Sequence, residues 1–156
     1  MLFRSSGPNI YVNLPGLKQI AAINRQTGAI TRWPIKEESN FPMALDEANH
    51  RLFAVTRAPA RLLVLDTGSG HVVATLPCVQ DSDDLYYDAA RKRIYAAGGE
   101  GYISVFQQQD ADHTACWRRS LPSWEREPQG ILESWGRDST ASLSRFRRAL
   151  TTAPRS

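Results

Sequence analysis

The 156-residue sequence has few of the marks of a membrane-spanning, disulfide-stapled or metal-dependent protein. No run approaches the ~20 consecutive apolar residues that cross a bilayer, so no membrane span is expected. The opening residues MLFRSSGPNIYVN break at Gly7-Pro8 before an apolar segment can form, so no signal peptide is legible. Cysteine is confined to Cys78 and Cys116, in no CxxC or other metal-ligand spacing, and two separate thiols are expected. Catalytic signatures are scarce as well. DTGSGH at 66–71 lacks the lysine and the order of a phosphate-binding loop, and neither HExxH nor GxSxG occurs. GGEG at 98–101 leads from one apolar run into another, so it reads as a tight turn with no helix N-terminus to hold a phosphate.

What is present is globular. Apolar residues make up 42% of the chain, enough for a sizeable core in one domain. The net charge of +3 is unevenly placed. Residues 1–116 carry 11 basic and 12 acidic side chains, whereas residues 117–156 carry 8 basic and 4 acidic ones, all of the basic ones arginine.

The sequence also repeats. Asn9-Ile10-Tyr11 falls on Arg51-Leu52-Phe53 and then on Arg93-Ile94-Tyr95, at steps of 42 residues. Ile20 and Ile23 fall on Leu62 and Leu65, and again on Ile103 and Phe106 after a one-residue deletion. Thr27-Gly28 falls on Ser69-Gly70, and FPMALDEANHRLF from Phe41 falls on DDLYYDAARKRIY from Asp83. Agreement in several segments without drift identifies a structural repeat.

One period predicts four short strands: Phe41 to Asp46, Arg51 to Arg57, Arg61 to Asp66 and His71 to Pro77. Turn residues join them, with glycine supplying positive φ and Asp66 accepting backbone N–H bonds in the last turn. Val, Leu, Ile, Phe and Tyr occur on both faces of these strands, so the sheet must be covered on both sides. Four antiparallel strands repeated at about 40–45 residues define a β-propeller blade. The expected fold is therefore all-β, a partial β-propeller of two and a half to three four-stranded antiparallel blades, at about 1–35, 41–77 and 83–116. A backward step places Met1 over Met43 and Phe3 over Leu45, so the first blade opens inside its first strand. The third has strands at Asp83 to Asp88, Arg93 to Gly98 and Tyr102 to Gln107, with the last near His113 to Arg119. Residues 117–156, rich in Arg, Ser and Trp, do not continue the repeat and are expected to be an irregular tail, disordered or an out-of-frame product.

The segments NIYVN, RLFAVTR…ARLLVLDTGSGHVVATLP and DDLYYDAARKRIYAAGGEGYISVFQQ resemble the YVTN-type repeats of the YncE-like bacterial β-propellers, over about residues 8–112. The resemblance implies a blade of a seven-bladed, usually exported protein that binds or scaffolds without catalysis. Such a parent is periplasmic or extracellular; a chain starting at Met1 with no leader would be cytoplasmic. The chain departs from the pattern in its blade number and its tail, and reads as a fragment of a longer protein.

Asp81-Ser82-Asp83-Asp84 is the densest acidic cluster. Hard cations such as Ca²⁺ take carboxylate oxygens, so Asp83 and Asp84, at the start of a first strand, are the candidate ligand or metal residues. The alternative function is a Ca²⁺-dependent, lactonase-like propeller hydrolase. The bland reading is a solvated turn, and no cofactor is required. His50, His71 and His113 sit beside separate turns and form no triad. Tyr86, Tyr87, Tyr95, Tyr102 and Phe106 read as core between blades. The partner is an unspecified protein or small molecule, with self-association through exposed blade faces. Nucleic acid would be bound through the basic tail and is not favoured for the repeated body.

Overall fold

A computed structural model of the chain describes residues 3–111 and 113–120. They form three four-stranded sheets, each a simple antiparallel meander. Blade 1 contains β1 (Phe3–Ser6), β2 (Asn9–Leu14), β3 (Gln19–Asn24) and β4 (Ile30–Pro34). Blade 2 contains β5 (Glu38–Asp46), β6 (Arg51–Ala58), β7 (Ala60–Asp66) and β8 (Val72–Pro77). Blade 3 contains β9 (Ser82–Asp88), β10 (Arg93–Gly98), β11 (Tyr102–Gln108) and β12 (Thr114–Ser120). First strands of successive sheets lie alongside one another, β1 by β5 and β5 by β9. No ring is closed among the described residues. The compact unit runs Met1–Ser120, and its last strand, expected near His113 to Arg119, spans Thr114–Ser120. The rest of the expected tail lies outside the described residues. Among those described, no helix is long and apolar enough to cross a membrane.

The repeat extends to backbone detail. Positive φ recurs at 42-residue spacing: Ser39 with Asp81, His50 with Lys92, Gly28 with Gly70. Asp46 accepts the Asn49 N–H at 3.3 Å, and Asp88 accepts that of Arg91 at 3.0 Å. Asn24 Oδ1 accepts from Gln26 and Thr27, and Asp66 Oδ1 from Gly68 and Ser69, closing the same turn between third and fourth strands. Both links between blades are pinned alike, by Ile35 N–H to Lys18 O and Cys78 N–H to Ala60 O.

The register of blade 1 corrects one expectation. Phe3 pairs with Val12, which is the equivalent of Ala54, and Ala54 pairs with Met43. Phe3 therefore takes the place of Met43 and not that of Leu45. The reason is the first turn. Gly7-Pro8 joins β1 and β2 in two residues, whereas four residues, Glu47 to His50, join β5 and β6. The start of β5 also differs from expectation. It reaches back to Glu38 through a register shift between Asn40 and Met43, where Pro42 has no N–H for the ladder.

Blade 2 buries both faces. Leu52, Ala54, Leu63 and Leu65 join Tyr11, Ile20, Ala22 and Trp33 of blade 1 in one cluster. Phe53, Val55, Leu62 and Val64 join Leu85, Ile94, Ala96 and Phe106 of blade 3 in another. Alternation sends successive residues to opposite faces, so β6 and β7 read as continuous apolar runs. All eight residues of Leu52–Val55 and Leu62–Leu65 are fully inaccessible. Tyr87 packs against Phe53, with ring centroids 5.2 Å apart, and Tyr102 and Phe106 belong to the same core. Tyr86 and Tyr95 instead stack on each other at 6.4 Å on the opposite face, so they are not core between the described blades. They occupy alternate positions to Tyr87 and Ile94.

Candidate functional site

The acidic cluster lies where β6, the blade 2 to blade 3 link and β9 meet. Arg57 near the end of β6 is its organising residue. Its guanidinium pairs with Asp83, lies 3.3 Å from Asp81 Oδ1, and sits 4.7 Å above the Phe41 ring. Asp81 takes a positive φ, which turns the link into β9. Gly98 allows that link to pass: a Cβ there would stand 2.3 Å from the Gln80 carbonyl oxygen. The GGEG segment is the tight turn between β10 and β11, and its Glu100 accepts from the Gln80 N–H at 2.8 Å and the Tyr102 hydroxyl at 2.7 Å.

Asp83 and Asp84 are neighbours on one strand, and a strand points consecutive side chains to opposite faces. Asp83 turns to Arg57, while Asp84 accepts the Leu85 N–H at 3.0 Å. Among the described residues no group of three or more His, Cys, Asp or Glu side chains is placed to hold a metal ion. His50, His71 and His113 occupy separate turns, with His113 Nδ1 2.8 Å from Asp110. An open cleft of about 400 Å³ adjoins the cluster, lined in part by Pro59, Arg61, Pro77, Cys78, Glu100 and Tyr102. Cys78 is buried at 4% exposure.

The opposite end of the same junction holds a second polar group. Gln108 Nε2 donates to Asp46 at 3.0 Å, and the Tyr87 hydroxyl donates to Gln108 Oε1 at 2.7 Å. Asn49 completes the Asp46 shell at 2.7 Å. Burial alone would raise the Asp46 carboxyl, but hydrogen bonds from Asn49 and Gln108 outweigh it and hold the group below the usual carboxylate value. Burial first, and then the Asp46 charge, pushes the Tyr87 phenol strongly up. Nearby, Arg51 bridges Asp66 at 2.7 Å and the Ala111 carbonyl at 3.1 Å.

At the junction of blades 1 and 2, the entry into the second sheet holds a pair of amides. Asn13 donates to Phe41 O at 2.7 Å, and Asn40 donates to Asn13 Oδ1 at 2.7 Å. Arg57, Gln108 and the Asn13–Asn40 pair were not singled out by the sequence. The 42-residue step that superposes Ser39 on Asp81 and Asn40 on Ser82 was the available signal, since it marks both blade entries as one structural position.

No known protein family matches this chain, and no curated relative does. Solved structures do. The chain is similar to the β-propeller domain of Myceliophteria thermophila Cps50 (Swd1), with TM-score 0.60 and 10% identity over 76% of this chain and 43% of that one. The fold is of the β-propeller kind. U3-55K is similar with TM-score 0.57 and 19% identity, over 71% of this chain and 34% of that one. A candidate 6-phosphogluconolactonase from Bacteroides fragilis matches with TM-score 0.60 and 14% identity, over 78% and 39%. The chain spans 34–43% of the length of these three solved structures. Identities this low show the fold alone.

Proposed function

We propose that the chain supplies blades to a non-catalytic binding or scaffolding propeller of the YVTN-repeat, YncE-like type, part of a longer exported protein. One observation carries the reading: the carboxylates of the described junctions are engaged in bracing one blade on the next. Asp83 is held by Arg57 and Asp46 by Gln108, each across the junction of blades 2 and 3. A calcium-dependent hydrolase would need such carboxylates turned toward a shared ion.

Calcium titration tests this. Added Ca²⁺ should leave the melting temperature of the full chain unchanged, and Asp83→Asn should respond like the parent. A calcium-dependent rise in melting temperature that Asp83→Asn and Asp84→Asn abolish would contradict the scaffold reading and favour the hydrolase.

A further inference from the structure

The two links between blades use the same positions and put different side chains on them. The 42-residue step carries Lys18 to Ala60, Gln19 to Arg61, Glu38 to Gln80 and Ala58 to Glu100. The backbone agrees with this matching. Lys18 O accepts the Ile35 N–H as Ala60 O accepts that of Cys78. Ser39 and Asp81, which follow Glu38 and Gln80, share a positive φ. Glu38 stands opposite Ala58 in the ladder, and Gln80 donates its N–H to Glu100 at 2.8 Å.

At the junction of blades 1 and 2 an ion pair, Lys18 with Glu38, crosses from one sheet to the next beside the neutral Gln19 and Ala58. At the junction of blades 2 and 3 the crossing pair is replaced by the neutral Ala60 and Gln80, and the charges move to the flanking positions as Arg61 and Glu100. The open cleft of about 400 Å³ stands at this place, and all four residues line it. Its volume is that of a small-molecule site. The two charges do not cancel each other. Among the described residues the Arg61 guanidinium has no ion-pair or hydrogen-bond partner. Glu100 is fixed by the Gln80 N–H and by the Tyr102 hydroxyl at 2.7 Å.

We propose that this cleft binds a small zwitterion of the amino-acid class, with its carboxylate on Arg61 and its ammonium toward Glu100. The planar guanidinium fork matches a carboxylate in a bidentate manner. Glu100 in the same cleft repels a ligand that carries negative charge alone and attracts an ammonium. The ligand thus brings the cation and the anion that Lys18 and Glu38 supply at the neighbouring junction. The proposal goes beyond the scaffold reading, which is tested separately by calcium and does not depend on this cleft.

The test is a ligand-detected NMR titration of the full chain with glycine, γ-aminobutyrate and ε-aminocaproate, which set the two charges progressively further apart. At least one should bind saturably, with a dissociation constant in roughly the millimolar range. Acetate and butylamine carry one charge each and should bind about tenfold more weakly or worse. Arg61→Gln, which installs the residue of the first junction, should weaken the best probe about tenfold. Ala60→Lys combined with Gln80→Glu should rebuild the crossing ion pair inside the cleft and remove saturable binding. Arg61 and Ala60 are partly buried and Gln80 is exposed, and circular dichroism checks that each variant keeps its strands. If one variant loses them, the other decides. No saturable binding of any zwitterion, acetate or butylamine binding as tightly as the best zwitterion, or a folded variant that binds like the parent would overturn the proposal.

Discussion

Blades 1 and 2 share a strand order, a pinned link and a common turn between third and fourth strands, yet their faces differ. In β6 and β7 both faces are fully buried, whereas in β2 and β3 the alternate residues Ile10, Val12 and Ile23 stay outside the buried clusters. The backbone is periodic; the burial is not. Local turn chemistry and alternation suffice to specify a blade, but the stability of a blade depends on what stands beside it. Among the described residues, blade 2 is the one with a described sheet on each side.

The largest expected effect sharpens that contrast. Phe53→Ala should cost about 3–5 kcal/mol, because it opens a cavity between two packed sheets. In a dilute, monomeric sample Ile23→Ala should cost roughly 1 kcal/mol or less, as a partly exposed site. Equal losses in chemical denaturation would break the comparison between the blades.

The next effect concerns close approach. Gly98→Ala places a Cβ against the Gln80 carbonyl and should cost about 1–3 kcal/mol by overpacking. Gly16→Ala meets nothing within 4 Å and should stay within about 0.5 kcal/mol of the parent. A neutral Gly98→Ala would show that the link between blades is looser than drawn.

Polar bracing comes third. Gln108→Ala leaves Asp46 and Tyr87 without their shared partner and should cost about 1–3 kcal/mol. Because the folded state depresses the Asp46 pKa, its contribution is present above the ordinary carboxylate value and is lost as pH falls below about 4. Asp46→Asn should flatten the acid limb of the stability profile, and an unchanged limb would remove Asp46 from the account. The smallest effect is expected at Arg57→Ala, about 1 kcal/mol or less, since its partners Asp81 and Asp83 are largely exposed. A larger loss would make the acidic cluster a major brace of the junction.

The strands of blade 2 and their turns were legible because alternation and glycine punctuation are local. The two-residue turn at Gly7-Pro8 broke the step locally, so the register of β1 could not be read from the period alone. The expected strand starts at Phe41, and the extension of β5 back to Glu38 was hidden because it runs through a register shift at Pro42 that breaks the alternation. The acidic residues of the site were visible as a cluster, but their partner Arg57 is 26 residues away from Asp83, and no periodicity announces an ion pair. Tyr86 and Tyr87 are adjacent aromatics, and composition cannot say which of them faces a neighbour until the register is known.

Hydrogen exchange at a concentration low enough to keep the chain monomeric tests the central claim most directly. The account predicts that the amides of β6 and β7 exchange slowest, with protection falling off in β2, β3, β10 and β11. Equal protection across the three sheets, or a maximum outside blade 2, would contradict it.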